Sequence, residues 1–172
     1  MNLPSAAQSE LREQGQVMSI DGRLPVQVQV VRPEIYSWAL PRQATAGAAA
    51  IDIVAAIAEP MQVYPMERVL VPTGLAFAVP DNIAMLMLPR SGLAHNHGLT
   101  LSNSVGLIDP DYRGEVMVTL WNTSADLYTI NPGDRLCQAM FIAFHPVVLN
   151  LVESLPATER GSGGIGHTGV AS

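Results

Sequence analysis

Short apolar runs broken by turn-forming residues are the feature that most restricts how this chain can fold. Val26, Val28 and Val30 alternate with glutamines, which is typical of a half-buried β-strand. Many short strands between frequent turns indicate an all-β sandwich or barrel, with room for at most one short helix, around residues 92–96. Further apolar runs, separated by turns containing Pro, Gly, Asn or Asp, occupy residues 51–57, 68–71, 74–79, 83–88, 115–121 and 135–144.

Length, charge and cysteine content exclude several classes of protein. A chain of 172 residues suggests one domain, and none of its apolar runs approaches the roughly 20 residues that span a bilayer. A net charge of −6 argues against general affinity for nucleic acid, which needs a basic face. Cys137 is the only cysteine, so no intrachain disulfide can form. We therefore expect a cytoplasmic protein that binds neither nucleic acid nor membrane.

The composition predicts three segments. Residues 1–24 are polar and unpatterned and are interpreted as an N-terminal extension, and residues 25–156 form the β domain. Residues 157–172 are predicted to be a mobile C-terminal arm, because residues 160–169 contain five glycines in ten positions. Arg160, the backbone N–H groups and Thr168 suit an anion, although a disordered terminus would have the same composition.

A candidate phosphate grip follows the predicted strand at residues 83–88. Residues 89–94 read Pro-Arg-Ser-Gly-Leu-Ala. Arg90 can donate charge-assisted hydrogen bonds, and the Ser91-Gly92 backbone can bring N–H groups close to phosphate oxygens. The alternative is an ordinary strand-to-helix turn capped by Ser91.

A candidate general base lies in the turn at residues 106–114, which read Gly-Leu-Ile-Asp-Pro-Asp-Tyr-Arg-Gly. A carboxylate held in a tight turn can orient and deprotonate a water molecule, and the ring of Tyr112 can form a flat wall against a sugar. The alternative is a solvated acidic β-turn, which Asp-Pro-Asp sequences commonly form.

Two charged residues elsewhere need partners. Asp52 lies within the apolar sequence Ile-Asp-Ile, and a buried carboxylate costs several kcal/mol unless it is paired, so an arginine or hydrated Mg²⁺ is expected beside it. Arg135 follows a turn at residues 131–134, where an ion pair and a ligand role are equally compatible with the sequence. The four histidines show no metal-ligand spacing with Cys137, so we assign no zinc site.

Taken in order, these segments resemble the five motifs of the trimeric dUTPase family, over about residues 25–169. The resemblance implies an all-β, jelly-roll-like (β-clip) barrel and a homotrimer whose active sites combine residues from more than one subunit. It also implies hydrolysis of dUTP to dUMP and pyrophosphate with Mg²⁺, which keeps uracil out of DNA and supplies dUMP. The matching segments are residues 46–53, 89–94, 106–114, 132–138 and 160–169.

The resemblance also implies how the triphosphate and the metal are held. Gln138 would assist the proposed phosphate grip, and Asp109 would position the water that attacks the α-phosphorus. Asp52 would touch Mg²⁺ through water only, with no direct protein ligand. The phosphate-binding set is thus Arg90, Ser91, Gly92 and Gln138, joined by Arg160 and Thr168 of the arm.

The nucleoside side of the site follows from the same resemblance. Asn103 lies in the hairpin of residues 99–107, whose backbone would read the uracil edge and whose narrow mouth would exclude thymine. Tyr112 would lie against the deoxyribose and block a 2′-hydroxyl. Leu107, Ile108 and Met117 would line the nucleoside pocket.

Two residues depart from the family pattern. The fifth motif usually carries an aromatic residue that stacks on uracil, and Ile165 stands there in this chain. The first motif usually has glycine where this chain has Ala50. The uracil contact of the arm is therefore predicted to be aliphatic.

Two other functions are compatible with a related fold. The dCTP deaminase family has a catalytic glutamate in the strand after the third motif, where this chain has Thr119. A non-catalytic nucleotide sensor would not need Asp109 and Tyr112 together. Both alternatives are therefore disfavoured.

Overall fold

The computed structural model describes residues 22–164, which form antiparallel strands and one short helix. Most of the predicted N-terminal extension lies outside the described residues. The described strands are β1 (Gln27–Val30), β2 (Ile51–Val54), β3 (Met61–Val63), β4 (Arg68–Pro72), β5 (Leu75–Ala78), β6 (Ile83–Pro89), β7 (Leu99–Leu101), β8 (Gly106–Ile108), β9 (Met117–Asn122), β10 (Tyr128–Ile130) and β11 (Arg135–Ala143), and helix α1 is Ser91–His97.

The strands pair into four small sheets within the described part of the chain. The largest has the order β2-β11-β6-β8, and a second has the order β4-β9-β7. Strand β1 pairs with β5, and β10 pairs with β3. Neighbouring strands are antiparallel throughout, which confirms the predicted all-β class.

The core lies between these sheets because alternate residues of each strand point inward. In β9, Val118, Leu120 and Asn122 are buried while the residues between them are partly exposed. The buried amide of Asn122 is satisfied, because it donates to the backbone oxygens of Val63 at 3.0 Å and Asp126 at 2.8 Å. A buried polar group with full hydrogen bonding costs little, so Asn122 is compatible with the apolar core.

The single helix expected from the sequence is α1, and its residue bounds contain the predicted segment. The N-cap of α1 is Arg90, and no side chain makes a capping hydrogen bond there. Residues 89–91 do form a strand-to-helix turn, as the alternative interpretation required, but the expected cap by the Ser91 hydroxyl is wrong. Among residues 22–164, no helix has the length and apolar character needed to cross a membrane.

An extended segment after β11 leaves apolar side chains uncovered. Residues 144–156 form no strand or helix and carry valines and leucines that face solvent. Apolar surface of this kind is unfavourable in water unless another surface covers it. The exposed fractions are 78% for Val147, 86% for Val148, 92% for Leu149, 102% for Leu151 and 83% for Leu155.

Candidate active site

One end of the largest sheet carries two arginines that share a carboxylate. The Nε atom of Arg90 lies 3.3 Å from Oδ1 of Asp52, and Nη1 of Arg135 donates to Oδ2 of Asp52 at 3.1 Å. Nη1 of Arg90 also donates to the backbone oxygen of Arg135 at 2.9 Å. Asp52, Arg90, Arg135 and Gln138 are hereafter called the arginine cluster. With two guanidinium groups and one carboxylate it keeps one net positive charge, which favours an anionic ligand.

Strand register explains why these side chains meet. Gln138 of β11 lies opposite both Asp52 of β2 and Leu88 of β6, and directly paired residues share a face of the sheet. Arg90 lies two residues after Leu88 and so continues along the same face. Arg135 would point the opposite way in a regular strand, but the pairing shifts between Arg135 and Cys137. This irregularity places Arg135 opposite Val54 and therefore on the face of Asp52.

The predicted need of Asp52 for a partner is met by arginine. The side chain is 28% exposed, so the carboxylate is half-buried rather than fully buried as the apolar sequence around it suggested. The side chain of Arg135 is 56% exposed and forms an ion pair with Asp52. An ion pair was one of the two roles that the sequence allowed for Arg135, and ligand binding was the other. Two guanidinium groups thus offset the cost of placing this carboxylate within a β-strand.

Gln138 of the cluster and the residues that follow Arg90 lie at the same end of the sheet. Nε2 of Gln138 donates to the backbone oxygen of Pro89 at 3.2 Å, and Ser91 and Gly92 begin α1 immediately after Arg90. Cys137 lies beneath them, fully buried in β11. Burial, together with the charge of Asp52 and against the opposing charge of Arg90, raises the pKa of the Cys137 thiol to about 12.

Residues 109–115 form a compact turn, hereafter called the tyrosine turn. The backbone N–H of Tyr112 donates to the backbone oxygen of Asp109 at 3.2 Å, and Nη1 of Arg113 donates to the oxygen of Pro110 at 2.6 Å. The Tyr112 hydroxyl donates to the backbone oxygen of Glu115 at 3.0 Å. Asp109 and Tyr112 are both exposed, and the turn presents a carboxylate and an aromatic ring to solvent.

The predicted nucleoside residues lie on or beside the segment at residues 99–108 that precedes this turn. This segment is not the predicted hairpin, because β7 pairs with β9 and β8 pairs with β6, in two different sheets. Asn103 is exposed between β7 and β8, and the backbone oxygen of Asn103 accepts the Val105 N–H at 2.7 Å. Leu107 in β8 is 60% exposed, an unusual state for a leucine within a sheet. Ile108 and Met117 are partly buried at the neighbouring strand ends. Leu107 and Tyr112 thus offer apolar surface that a nucleoside could cover.

The structure does not bring the arginine cluster and Asp109 together within one chain. Strand β6 connects them, since Ile108 pairs with Met85 near the start of β6 and Cys137 pairs with Pro89 at its end. Asp109 follows Ile108, so it lies level with the first residues of β6, about six residues from Arg90. At the usual rise of a β-strand the backbone positions of Arg90 and Asp109 are separated by about 20 Å.

The arm and the metal site are only partly described. Nε of Arg160 donates to the backbone oxygen of Gly163 at 2.9 Å. Ile165 and Thr168 lie outside the described residues. Within residues 22–164 there is no group of three or more His, Cys, Asp or Glu side chains that could enclose a metal ion.

Sequence reasoning missed Glu115 and its partner Arg32. Nε of Arg32 donates to both carboxylate oxygens of Glu115, at 2.7 Å and 3.0 Å. The two residues are 83 positions apart, and neither belongs to a pattern that a single sequence would single out. The two side chains meet only when the chain is folded.

The antiparallel strands, the cationic end of β6 and the tyrosine turn define an all-β, jelly-roll-like protein with a net-positive arginine cluster and an exposed aromatic ring. A family model described as dUTPase matches residues 36–169. The chain therefore belongs to the dUTPase family.

Relatives and solved structures agree with this membership. The chain is 51% identical over 131 residues to the deoxyuridine 5′-triphosphate nucleotidohydrolase of Sodalis glossinidius, covering 76% of this chain and 87% of the relative. It is 45% identical over 146 residues to the Salmonella paratyphi A protein of the same name, covering 84% of this chain and 97% of the relative.

Two phage structures share the fold. A variant of the Staphylococcus bacteriophage 80alpha dUTPase with dUpNHpp superposes with a TM-score of 0.77 at 22% identity, covering 85% of this chain and 99% of that one. A variant of the dUTPase from phage phi11 of S. aureus, described with a structural Mg(II) ion, gives a TM-score of 0.69 at 21% identity over 77% of this chain and 99% of that one.

Proposed function

We propose that this protein hydrolyses dUTP to dUMP and pyrophosphate, with water attacking the α-phosphorus and Asp109 acting as the general base. Membership of the dUTPase family supports the reaction, as do the names of the relatives in Sodalis and Salmonella. Asp109 suits the role because it is exposed at the end of β8, where the tyrosine turn fixes its backbone. A carboxylate at such a position can accept a proton from water.

The arginine cluster is proposed to bind the triphosphate. The Arg90 guanidinium is already held by Asp52 and by the backbone of Arg135, so little side-chain entropy remains to be lost when phosphate binds. Ser91, Gly92 and Gln138 complete this phosphate-binding surface. Arg160 and Thr168 of the arm are proposed to close on the terminal phosphate, and Ile165 is proposed to cover the uracil.

The turn between β7 and β8 and the tyrosine turn are proposed to select the nucleoside. The backbone around Asn103 would pair with the uracil edge, while Leu107, Ile108 and Met117 would exclude water from the base and sugar. The Tyr112 ring would occupy the space that a 2′-hydroxyl needs. The exposure of Leu107 and Tyr112 in a single chain supports this assignment.

Magnesium is proposed as the cofactor, and the donor set of this chain limits how it can be held. Asp52 is the carboxylate nearest the proposed phosphate site, and both of its oxygens already face guanidinium groups. These residues fit a hydrated ion that the phosphates hold and that Asp52 contacts through water. Bound with the triphosphate, Mg²⁺ would neutralise phosphate charge.

Assembly as a homotrimer with shared sites is the part of the proposal that the geometry supports most directly. One chain keeps Arg90 and Asp109 about 20 Å apart along β6, which is too far for both to act on one triphosphate. A site that uses both must take them from different copies. The uncovered valines and leucines of residues 147–155 supply apolar surface that neighbouring copies could bury.

Complementation between two inactive variants tests the shared site. Asp109→Asn and Arg90→Gln chains would be refolded separately and as an equal mixture, and dUTP turnover would be measured. If each site uses Asp109 from one copy and Arg90 from another, random mixing restores about a quarter of the sites. If both residues act from the same chain, the mixture stays as inactive as its components.

Product analysis distinguishes the three candidate reactions. Release of pyrophosphate and dUMP from dUTP supports the proposal, whereas ammonia from dCTP would indicate a deaminase. Tight binding of dUTP without any product would indicate a nucleotide sensor. The domain division, with an arm at residues 157–172, and a cytoplasmic location are proposed with the reaction.

A further inference from the structure

Glu115 connects the tyrosine turn to the body of the protein through two different groups. Its backbone oxygen accepts the hydrogen bond from the Tyr112 hydroxyl at 3.0 Å. Its carboxylate accepts hydrogen bonds from Nε of Arg32 at 2.7 Å and from the backbone N–H of Gly74 at 2.9 Å. Glu115 thus connects the ring of Tyr112, which is proposed to contact the sugar, to the distant segments that contain Arg32 and Gly74.

The carboxylate end of this connection is held firmly. The Glu115 side chain is 18% exposed, and that of Arg32 is 37% exposed. Burial raises the pKa of the Glu115 carboxyl, but the hydrogen bonds from Arg32 and Gly74 and the positive charge of Arg32 outweigh burial and leave the pKa below its usual value. The group is therefore ionised at neutral pH, where a charge-assisted bond to Arg32 is strongest.

The Gly74 N–H that contacts this carboxylate is itself fixed by packing. Gly74 has a φ of 69°, a conformation that other residues rarely adopt. A Cβ at this position would lie 2.9 Å from Cβ of Ala56 and 3.0 Å from the ring of Tyr36, so the backbone passes against buried side chains. The direction of this N–H is therefore set by the core.

The backbone beside Glu115 is held as well. The N–H of Val116 donates to the oxygen of Leu75 at 2.8 Å, and the oxygen of Val116 accepts the Thr73 hydroxyl at 2.7 Å. The carbonyl that receives the Tyr112 hydroxyl is therefore followed directly by a residue that is anchored to the core. The phenol, although 44% exposed as a residue, is attached to a rigid point.

We propose that Glu115 and Arg32 are positioning residues that hold Tyr112 in place and thereby set the preference of the enzyme for deoxyribose over ribose. The proposal rests on the assignment of Tyr112 to the sugar given above. A ring excludes a 2′-hydroxyl only if it cannot move aside. Without the ion pair, one of the two anchors of the Glu115 segment is lost, the carbonyl that accepts the phenol is held less firmly, and a ribonucleotide meets less resistance.

The test compares kcat/KM for dUTP and for UTP in Glu115→Gln, Arg32→Gln and the double variant. We expect the dUTP preference to fall by roughly three- to tenfold in each single variant, the factor that one hydrogen bond corresponds to. The fall should come mainly from improved use of UTP. The double variant should resemble the single variants, because both lose the same contact.

Two further variants separate positioning from general destabilisation. Tyr112→Phe, which removes only the hydroxyl, should reproduce the loss of preference. Glu67 provides the matched control, since its carboxylate also accepts a backbone N–H, that of Tyr64 at 2.7 Å, but has no link to Tyr112. Glu67→Gln should leave the dUTP preference unchanged.

The outcomes distinguish this inference from the proposed function. If the unchanged protein does not hydrolyse dUTP, the proposed function is wrong. If it does, and Tyr112→Ala alters the dUTP preference while Glu115→Gln and Arg32→Gln do not, the positioning role is overturned and the function stands. Should Glu115→Gln fail to fold, Arg32→Gln and Tyr112→Phe decide the question, because both retain the contact between Glu115 and Gly74.

Discussion

Gly114 lies directly against the ring of Tyr112, and a Cβ at position 114 would fall 2.7 Å from the ring carbon that carries the hydroxyl. Cβ atoms are not found so close to an aromatic ring without displacement of one of them. The hydroxyl end of the ring is therefore confined both by Gly114, which has no side chain, and by the backbone oxygen of Glu115. Its position depends on both neighbours.

The substitution Gly114→Ala should displace this ring. We expect kcat/KM for dUTP to fall by roughly tenfold and the relative use of UTP to rise, because the added methyl pushes the wall out of place. Steady-state kinetics with both nucleotides measures the effect. Gly47→Ala is the matched control, since no atom lies within 4 Å of its added carbon, and it should keep the dUTP/UTP ratio. An unchanged ratio in Gly114→Ala would mean that the ring does not contact the sugar.

Replacing Asp109 by asparagine should remove the base while preserving the shape of the turn. We expect kcat to fall by roughly 10²–10⁴, with dUTP still bound, because the amide cannot take a proton from water. Single-turnover kinetics and nucleotide titration separate the two steps. Asp111, exposed in the same turn, provides the control, and Asp111→Asn should retain turnover. Equal losses in both variants would point to the charge of the turn rather than to Asp109.

The ion pair of Glu115 should make stability depend on pH in the acid range. Its pKa is lower in the folded than in the unfolded chain, so the contribution is present above the unfolded value and disappears as pH falls through the folded value. At neutral pH we expect Glu115→Gln to lower the free energy of unfolding by roughly 1–3 kcal/mol. Urea unfolding of both proteins at several pH values should show the difference shrinking below about pH 4.

The thiol of Cys137 should be unreactive in the folded protein. Burial raises its pKa to about 12, so little thiolate is present near neutral pH, and the sulfur is also inaccessible. A colorimetric thiol reagent should therefore react only after urea is added. Because the unfolded thiol ionises at lower pH than the folded one, stability should also decline as the solution is made alkaline. Rapid modification without urea would contradict the burial.

Removal of residues 160–172 should nearly abolish turnover while leaving the number of chains in the assembly and its thermal unfolding unchanged. Ile165→Phe should leave activity equal or better and tighten nucleotide binding, because base–aromatic stacking contributes roughly 1–3 kcal/mol in other systems. Kinetics and isothermal titration measure both variants. Normal turnover after truncation would exclude a role for the arm, and sharp impairment by Ile165→Phe would indicate a pocket shaped for an aliphatic side chain.

Alternating and continuous apolar runs predicted the longer strands well. The runs at residues 83–88 and 135–144 became β6 and β11, and the helix expected near residues 92–96 became α1. Strands β3 and β10 were not predicted as strands. Each has only three residues, which is too short for a period of two to be distinguished from a loop. Their existence depends on pairing with each other.

The candidate site was predicted in part, and the limit was strand register. The apolar surroundings of Asp52 correctly indicated a charged partner, but they did not decide between an arginine and hydrated magnesium. The choice of Arg135 depends on the irregular pairing in β11, which one sequence does not encode in any local pattern. Arg32 and Glu115 were missed for a related reason, since only the assembled sheets bring residues 83 positions apart together.

The length of β6 also bears on how damage to this protein would be inherited. Because Arg90 and Asp109 lie about 20 Å apart along each chain, the proposed shared site would draw its two halves from different copies. In a cell that makes equal amounts of sound and defective chains, a chain that lacks only one of the two residues would disable about half of the sites, no more than its share of the chains. A chain that lacks both residues would leave only about a quarter of the sites intact, so that allele would act dominantly.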